Sequence, residues 1–253
     1  MGVQYDLGGR RILIIGGSSG VGREVGLAAS RAGARVAFAA RRKDLLDGAV
    51  VLAGNGAVAV RCDVTAPDDC ERAVDEAARA LGGIDAFVYA TGMSPLVMLE
   101  KATAAMWREV LDVNVTGASQ ITAAALPHLR QSEGRAVYVS SYAVRQSLPG
   151  LGLYRVSKVA LDALIECWRM EHPEVDFTRV VVGNTVGTEF ANAWGGEAIA
   201  SAMAVWVSRN LFPAATMMSL SVLGEAILSV IAVRGYVDDI AIMPRTRDPK
   251  ALA

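Results

Sequence analysis

Seven short apolar runs, separated by longer stretches of helical period, constrain this chain more than any other feature. They are RILIIG (11–16), RVAFAA (35–40), AVAVRC (57–62), IDAFVYA (84–90), the stretch 134–141 that ends VYVSS, DFTRVVV (176–182) and DDIAIMP (238–244). Most are near-continuously apolar and do not alternate, which is the pattern of strands buried on both faces. Between them, 23–33, 43–53, 68–82, 103–131 and the stretch after residue 150 carry helical periodicity. Strand and helix in strict alternation imply a parallel sheet covered by helices on both sides, with right-handed crossovers. The expectation is an α/β, doubly wound, Rossmann-like domain spanning 1–253, with a mostly parallel sheet of about seven strands. Ligands of such sheets bind beyond the carboxyl ends of the strands, so polar motifs at those ends are the place to look for a site.

Composition narrows the partners. A formal net charge of -1 gives no bulk electrostatic attraction to nucleic acid or to an anionic membrane. The apolar stretch 198–233 is interrupted by Arg209, Asn210 and Pro213, too soon for a membrane span. Three cysteines without CxxC spacing and two histidines far apart predict neither a disulfide framework nor a metal centre. The N-terminal residues reach the first strand without an apolar signal region, so a cytoplasmic location is expected. What remains as partners are small molecules and further copies of the chain.

The sequence IIGGSSGVGRE sits between the first strand and the first helix, with Gly16, Gly20 and Gly22 in G-x-x-x-G-x-G spacing. Glycines there permit a tight turn and let a pyrophosphate approach the N–H groups of the helix N-terminus. Ser18 and Ser19 add hydroxyl donors, and Val21 lies within the same turn. With strand–turn–helix context this pattern predicts a dinucleotide site. About 20 residues on, the second strand ends in Ala40 followed by Arg41 and Arg42. An acidic residue at that place binds a ribose 2′-hydroxyl, whereas arginine suits a 2′-phosphate; NADP(H) is therefore expected over NAD(H). After the third strand, Asp63 is placed to accept from an adenine amino group, with the Val64 backbone beside it.

Further along, GLGLYRVSK puts Tyr154 and Lys158 four residues apart, hence side by side on a helix. Ser141 precedes Tyr154 by 13 residues, and Asn114 begins NVTG. Together with the glycine loop and Asp63-Val64, these motifs, in this order, make the chain similar to the short-chain dehydrogenase/reductase family along nearly its whole length. The resemblance implies hydride transfer between a nicotinamide cofactor and an alcohol/ketone pair. Tyr154 would be general acid in reduction and general base in oxidation. Lys158, with the oxidised nicotinamide, would lower the pKa of Tyr154 and would hold ribose hydroxyls. Ser141 would polarise the substrate carbonyl, and Asn114 would hold a water that relays protons to Lys158.

The chain departs from the family pattern in places. Where an Asn-Asn-Ala-Gly segment usually ends the fourth strand, Tyr89-Ala90-Thr91-Gly92 stands here. Ala90, Thr91 and Gly92 keep the approach to cofactor, and the missing amides are expected to cost rigidity. Gly183-Asn184 replaces a usual Pro-Gly pair, while Val186 and Thr188 match residues that contact the nicotinamide and phosphates. The segment 189–218, with Trp194, Met203, Trp206, Phe212, Met217 and Met218, falls where family members build a substrate lid. An apolar lid suits a hydrophobic substrate. The resemblance further implies a homodimer or homotetramer, paired through 103–131 and 154–171. A non-catalytic NADP(H)-binding regulator on the same fold is the alternative.

Overall fold

A computed structural model of the chain describes residues 5–192, 194–209, 211 and 217–245. Its strands β1 (Arg11–Ile15), β2 (Arg35–Ala40), β3 (Val58–Arg61), β4 (Ala86–Tyr89), β5 (Arg135–Ser141), β6 (Asp176–Val182) and β7 (Asp239–Ile242) form one sheet in the order 3-2-1-4-5-6-7. Every pairing is parallel. Helices α1 (Gly20–Arg31), α2 (Lys43–Ala53), α3 (Pro67–Leu81), α4 (Ala104–Leu111), α5 (Gly117–Ser132), α6 (Gly152–Glu171), α7 (Gly196–Ser208) and α8 (Leu220–Ala232) complete the described elements, with short helical turns between some of them.

The continuous apolar strands are explained by two cores. Leu13 and Ile15 of β1 join Phe87, Tyr138 and residues of α3, α5 and α6 in one cluster. Ile12 and Ile14, pointing the other way, join Val36, Phe38, Val88 and residues of α1 and α8 in the second. Each strand therefore supplies both layers, as its lack of alternation requires. Strand order reverses between β1 and β4, the switch point whose crevice binds ligands in sheets of this kind, and Gly16 and Ala90 directly follow those two strands.

Two elements differ from the expectation. Residues 103–131 are not one helix: α4 and α5 are joined by a π-turn over Asp112–Thr116. The expected helices also omit 220–232, where α8 packs on α1. Ser221, Glu225 and Ser229 recur there every four residues, opposite buried Leu223, Ile227, Leu228 and Ile231, and Gly224 brings the helix close to Glu24, whose Cγ lies 3.0 Å from where a Cβ would sit.

Candidate active site

The glycine loop is built for close backbone approach. Gly16 sits at φ +84, and a Cβ there would lie 2.8 Å from the Thr91 backbone nitrogen at the end of β4. A Cβ on Gly22 would run into the Gly16 carbonyl. The N-cap of α1, Ser19, makes no side-chain capping bond, and no acidic residue lies in the first turn. The first turn of α1 thus supplies no acid of its own at its positive end, which suits a pyrophosphate; the carboxylate that reaches Ser19 comes from Glu189. Val21, in contrast, is partly buried against the second core.

Arg42, not Arg41, meets the loop. Its guanidinium donates to Ser18 Oγ at 3.3 Å and Ser19 Oγ at 3.0 Å. The same nitrogen donates to Glu189 Oε2 at 2.5 Å, and Ser19 Oγ donates to that oxygen at 2.8 Å. Arg41 is exposed and has no ion pair among the described residues. Asp63 Oδ1 accepts from the Thr65 N–H at 3.1 Å and hydroxyl at 2.8 Å, while buried Val64 follows it at the mouth of the crevice. Thr188 crosses over Gly20, its Cα 3.9 Å from the position of a Cβ there. Val186 is half exposed, and its N–H donates to Met218 O at 3.0 Å.

At the other end of the crevice, β5 ends at Ser141, whose Oγ accepts from the Ala143 N–H at 3.2 Å. Its own proton is directed at the Tyr154 oxygen, with which it hydrogen-bonds. Tyr154 and Lys158 share one face of α6, with the ammonium 5.8 Å from the phenol ring centroid. Lys158 is 3% exposed, and Nζ donates to Val139 O at 2.8 Å. Its remaining donors have no partner among the described residues. A Cβ on Gly92 would come within 3.3 Å of both Nζ and Asn114 Oδ1, so glycine gives these two groups room here.

Burial pushes the Lys158 ammonium down to about 8, against the pull of Asp162. Burial likewise pushes the Tyr154 phenol up, and a hydrogen bond with Ser141 pulls it part of the way back.

Asn114 is fully buried in the π-turn. Its Nδ2 donates to Met93 O and Ser157 Oγ, both at 2.8 Å, and Oδ1 accepts from the Met93 N–H at 2.9 Å. The side chain clamps the segment just after Gly92 to α6, and both amide hydrogens are spent in doing so. A relay water here would be left with the second lone pair of Oδ1 or with backbone carbonyls.

The rigidity expected to be lost with the fourth-strand amides is supplied another way. Tyr89 is completely buried and donates to Val113 O at 2.5 Å, immediately before Asn114. A phenol reaching the π-turn ties β4 to the clamp.

The segment over the site is anchored by indoles. Trp194 donates to Ser94 O and Trp206 to Pro149 O, each at 2.8 Å. Phe190 lies against Tyr154, ring centroids 4.5 Å apart, and meets Trp194 edge-on at 5.1 Å. Met218 is buried beneath, and Met217 is half exposed. Phe212 lies outside the described residues. The sequence motifs point neither to the aromatic cover on Tyr154 nor to the Glu189 contact with Arg42; the one signal for both is that Glu189 and Phe190 directly follow Thr188.

Residues 10–197 match the sequence profile of the family described as short chain dehydrogenase. The chain belongs to that family. It is 37% identical over 171 residues to 11-beta-hydroxysteroid dehydrogenase 1A of Arabidopsis thaliana, covering 66% of this chain and 49% of the relative. It thus spans about half the length of that plant relative. It is 30% identical over 195 residues to the human dehydrogenase/reductase SDR family member 2, mitochondrial, covering 75% of this chain and 70% of the relative. Among solved structures, a short-chain type dehydrogenase/reductase from Mycobacterium marinum superposes with a TM-score of 0.82 at 29% identity, over 95% of this chain and 96% of that one. The fold brings Ser141 at the end of β5, Tyr154 and Lys158 on α6 and Asn114 in the π-turn to the same end of the sheet.

Proposed function

We propose that this chain is an NADP(H)-dependent oxidoreductase that interconverts a hydrophobic alcohol and its ketone or aldehyde, with Tyr154 as general acid and base. The observation that carries it is the meeting of Ser141, Tyr154 and a buried Lys158 at the carboxyl end of the sheet. It lies across the switch point from the glycine loop that opens α1. A protein that only bound nucleotide would have no need to bury a lysine beside a phenol.

The residues fit the cofactor. The uncapped end of α1 and Gly16, Gly20 and Gly22 would hold the pyrophosphate, and Arg42 with Ser18 and Ser19 the 2′-phosphate. Asp63 would meet the adenine, and the open donors of Lys158 the ribose hydroxyls. When bound, the reduced nicotinamide supplies the hydride that reaches the carbonyl carbon. Tyr154, kept protonated by burial, donates its proton to the carbonyl oxygen as negative charge develops there. Ser141 turns its hydroxyl proton from Tyr154 to the same oxygen and steadies that charge. The phenolate left behind faces the Lys158 ammonium, which is protonated at neutral pH. In the reverse direction Tyr154 accepts the alcohol proton.

An apolar substrate is supported by the aromatic cover of Phe190 and Trp194 and by half-buried Met93, Val144 and Leu148 nearby. Of the two arginines that would suit an anionic substrate, Arg155 spends one donor on the Ala143 carbonyl at 2.9 Å and Arg145 is exposed. The hydroxysteroid dehydrogenase names of the plant relatives point to the same class. Exposed Val156, Val159 and Met170 on α6 favour pairing of two copies through that helix.

The test is Tyr154→Phe. Turnover of apolar ketones should disappear while NADPH affinity stays within about twofold. Tight NADPH binding with no Tyr154-dependent turnover on any substrate would favour a non-catalytic binding protein.

A further inference from the structure

The Arg42–Ser19 corner already holds an anion, and it belongs to the chain itself. Glu189 Oε2 accepts from both Arg42 Nη2 at 2.5 Å and Ser19 Oγ at 2.8 Å, across a sequence separation of 147 residues for the arginine. Arg42 also reaches Ser18 Oγ at 3.3 Å and Ser19 Oγ at 3.0 Å. These are the groups that would bind a cofactor 2′-phosphate. Two anions cannot accept from one guanidinium edge and one hydroxyl in the same place, and a carboxylate beside a phosphate is repulsive.

Resting on the NADP(H) reading, we propose that Glu189 is a cofactor-specificity residue. Its carboxylate occupies the 2′-phosphate position and must give up Arg42 when a phosphorylated cofactor enters. A cofactor lacking the 2′-phosphate leaves the Arg42–Glu189 pair in place. The consequence reaches the chemistry through one peptide bond, because the next residue, Phe190, lies on the Tyr154 ring at 4.5 Å. The pair is about half exposed, 48% for Arg42 and 40% for Glu189. Exposed pairs contribute little, so the handicap to the 2′-phosphate is modest, about two- to fivefold in affinity.

The experiment uses the full chain and two probes, 2′,5′-ADP and 5′-AMP, titrated calorimetrically into wild type, Glu189→Gln, Arg42→Ala and the double variant. Glu189→Gln should bind 2′,5′-ADP about two- to fivefold tighter and 5′-AMP unchanged. In the Arg42→Ala background the same substitution should give no gain, because the shared donor has gone. Glu189→Ala should repeat the gain. A gain that survives in the Arg42→Ala background would mean simple repulsion and would overturn shared occupancy. Equal changes for both probes, or none, would overturn the proposal while leaving the NADP(H) reading intact, provided wild type prefers 2′,5′-ADP through Arg42. If wild type binds both probes equally and Arg42→Ala changes neither, the NADP(H) reading falls and this proposal with it.

Discussion

Replacing Asn114 by alanine should cost stability before it costs chemistry. The side chain is 0% exposed and makes three hydrogen bonds, at 2.8, 2.8 and 2.9 Å, to Met93 O, Ser157 Oγ and the Met93 N–H. Ser157 Oγ keeps its own bond to Tyr154 O at 2.8 Å, so the heaviest loss falls on the two backbone groups of Met93. At about 1 kcal/mol for each bond lost, and somewhat more where a buried group is left unpaired, Asn114→Ala should destabilise by about 2–4 kcal/mol. With a urea slope of about 3 kcal/mol/M for a chain of this size, the midpoint falls by about 1 M. The assay is urea unfolding followed by tryptophan fluorescence, run beside NADPH-dependent turnover. Asn114→Asp should do at least as much harm, because it sets a carboxylate against the Met93 carbonyl. A midpoint moved by less than about 0.2 M, with turnover lost, would refute the clamp and assign the side chain directly to proton transfer.

Tyr89→Phe removes the bond to Val113 O and should cost about 1–2 kcal/mol in the same unfolding assay. An unchanged midpoint would show that the phenol is not the strut of the π-turn. Gly16→Ala meets both a φ of +84 and a backbone nitrogen 2.8 Å away; it should destabilise by about 2 kcal/mol or more and weaken NADPH binding. Unaltered NADPH affinity in a folded variant would remove the loop from the cofactor site. Lys158, near 8 in the folded chain against 10.5 as the ordinary value, penalises folding fully below pH 8, and the penalty fades as pH rises towards 10.5. Lys158→Met should therefore gain up to about 3 kcal/mol over wild type at pH 6, a gain that shrinks above pH 8, while turnover is lost. A stability difference independent of pH would contradict the buried ammonium.

How much of this was legible in the sequence follows from what each feature depends on. The seven strands are visible because burial on both faces leaves near-continuous apolar runs, and Tyr154 and Lys158 because a helix repeats nearly every four residues. The π-turn at Asp112–Thr116 is not visible, since the i→i+5 bond changes geometry without changing composition. The departure at Tyr89 can be read directly, but its compensation needs the distance from β4 to Val113. Arg42 and Glu189 stand on separate loops whose approach is set by the whole sheet. Helix α8 is legible in retrospect, because Ser221, Glu225 and Ser229 recur every four residues along one stripe of 220–232.

The most direct test of hydride transfer to a carbonyl uses NADPH carrying deuterium at the transferred position and a panel of bulky, apolar ketones. The account predicts product alcohol with one deuterium on the carbinol carbon, formed by wild type with NADPH in preference to NADH, and no product from Tyr154→Phe. Product formed equally by Tyr154→Phe, or NADPH bound tightly with no deuterium transferred to any ketone, would contradict it.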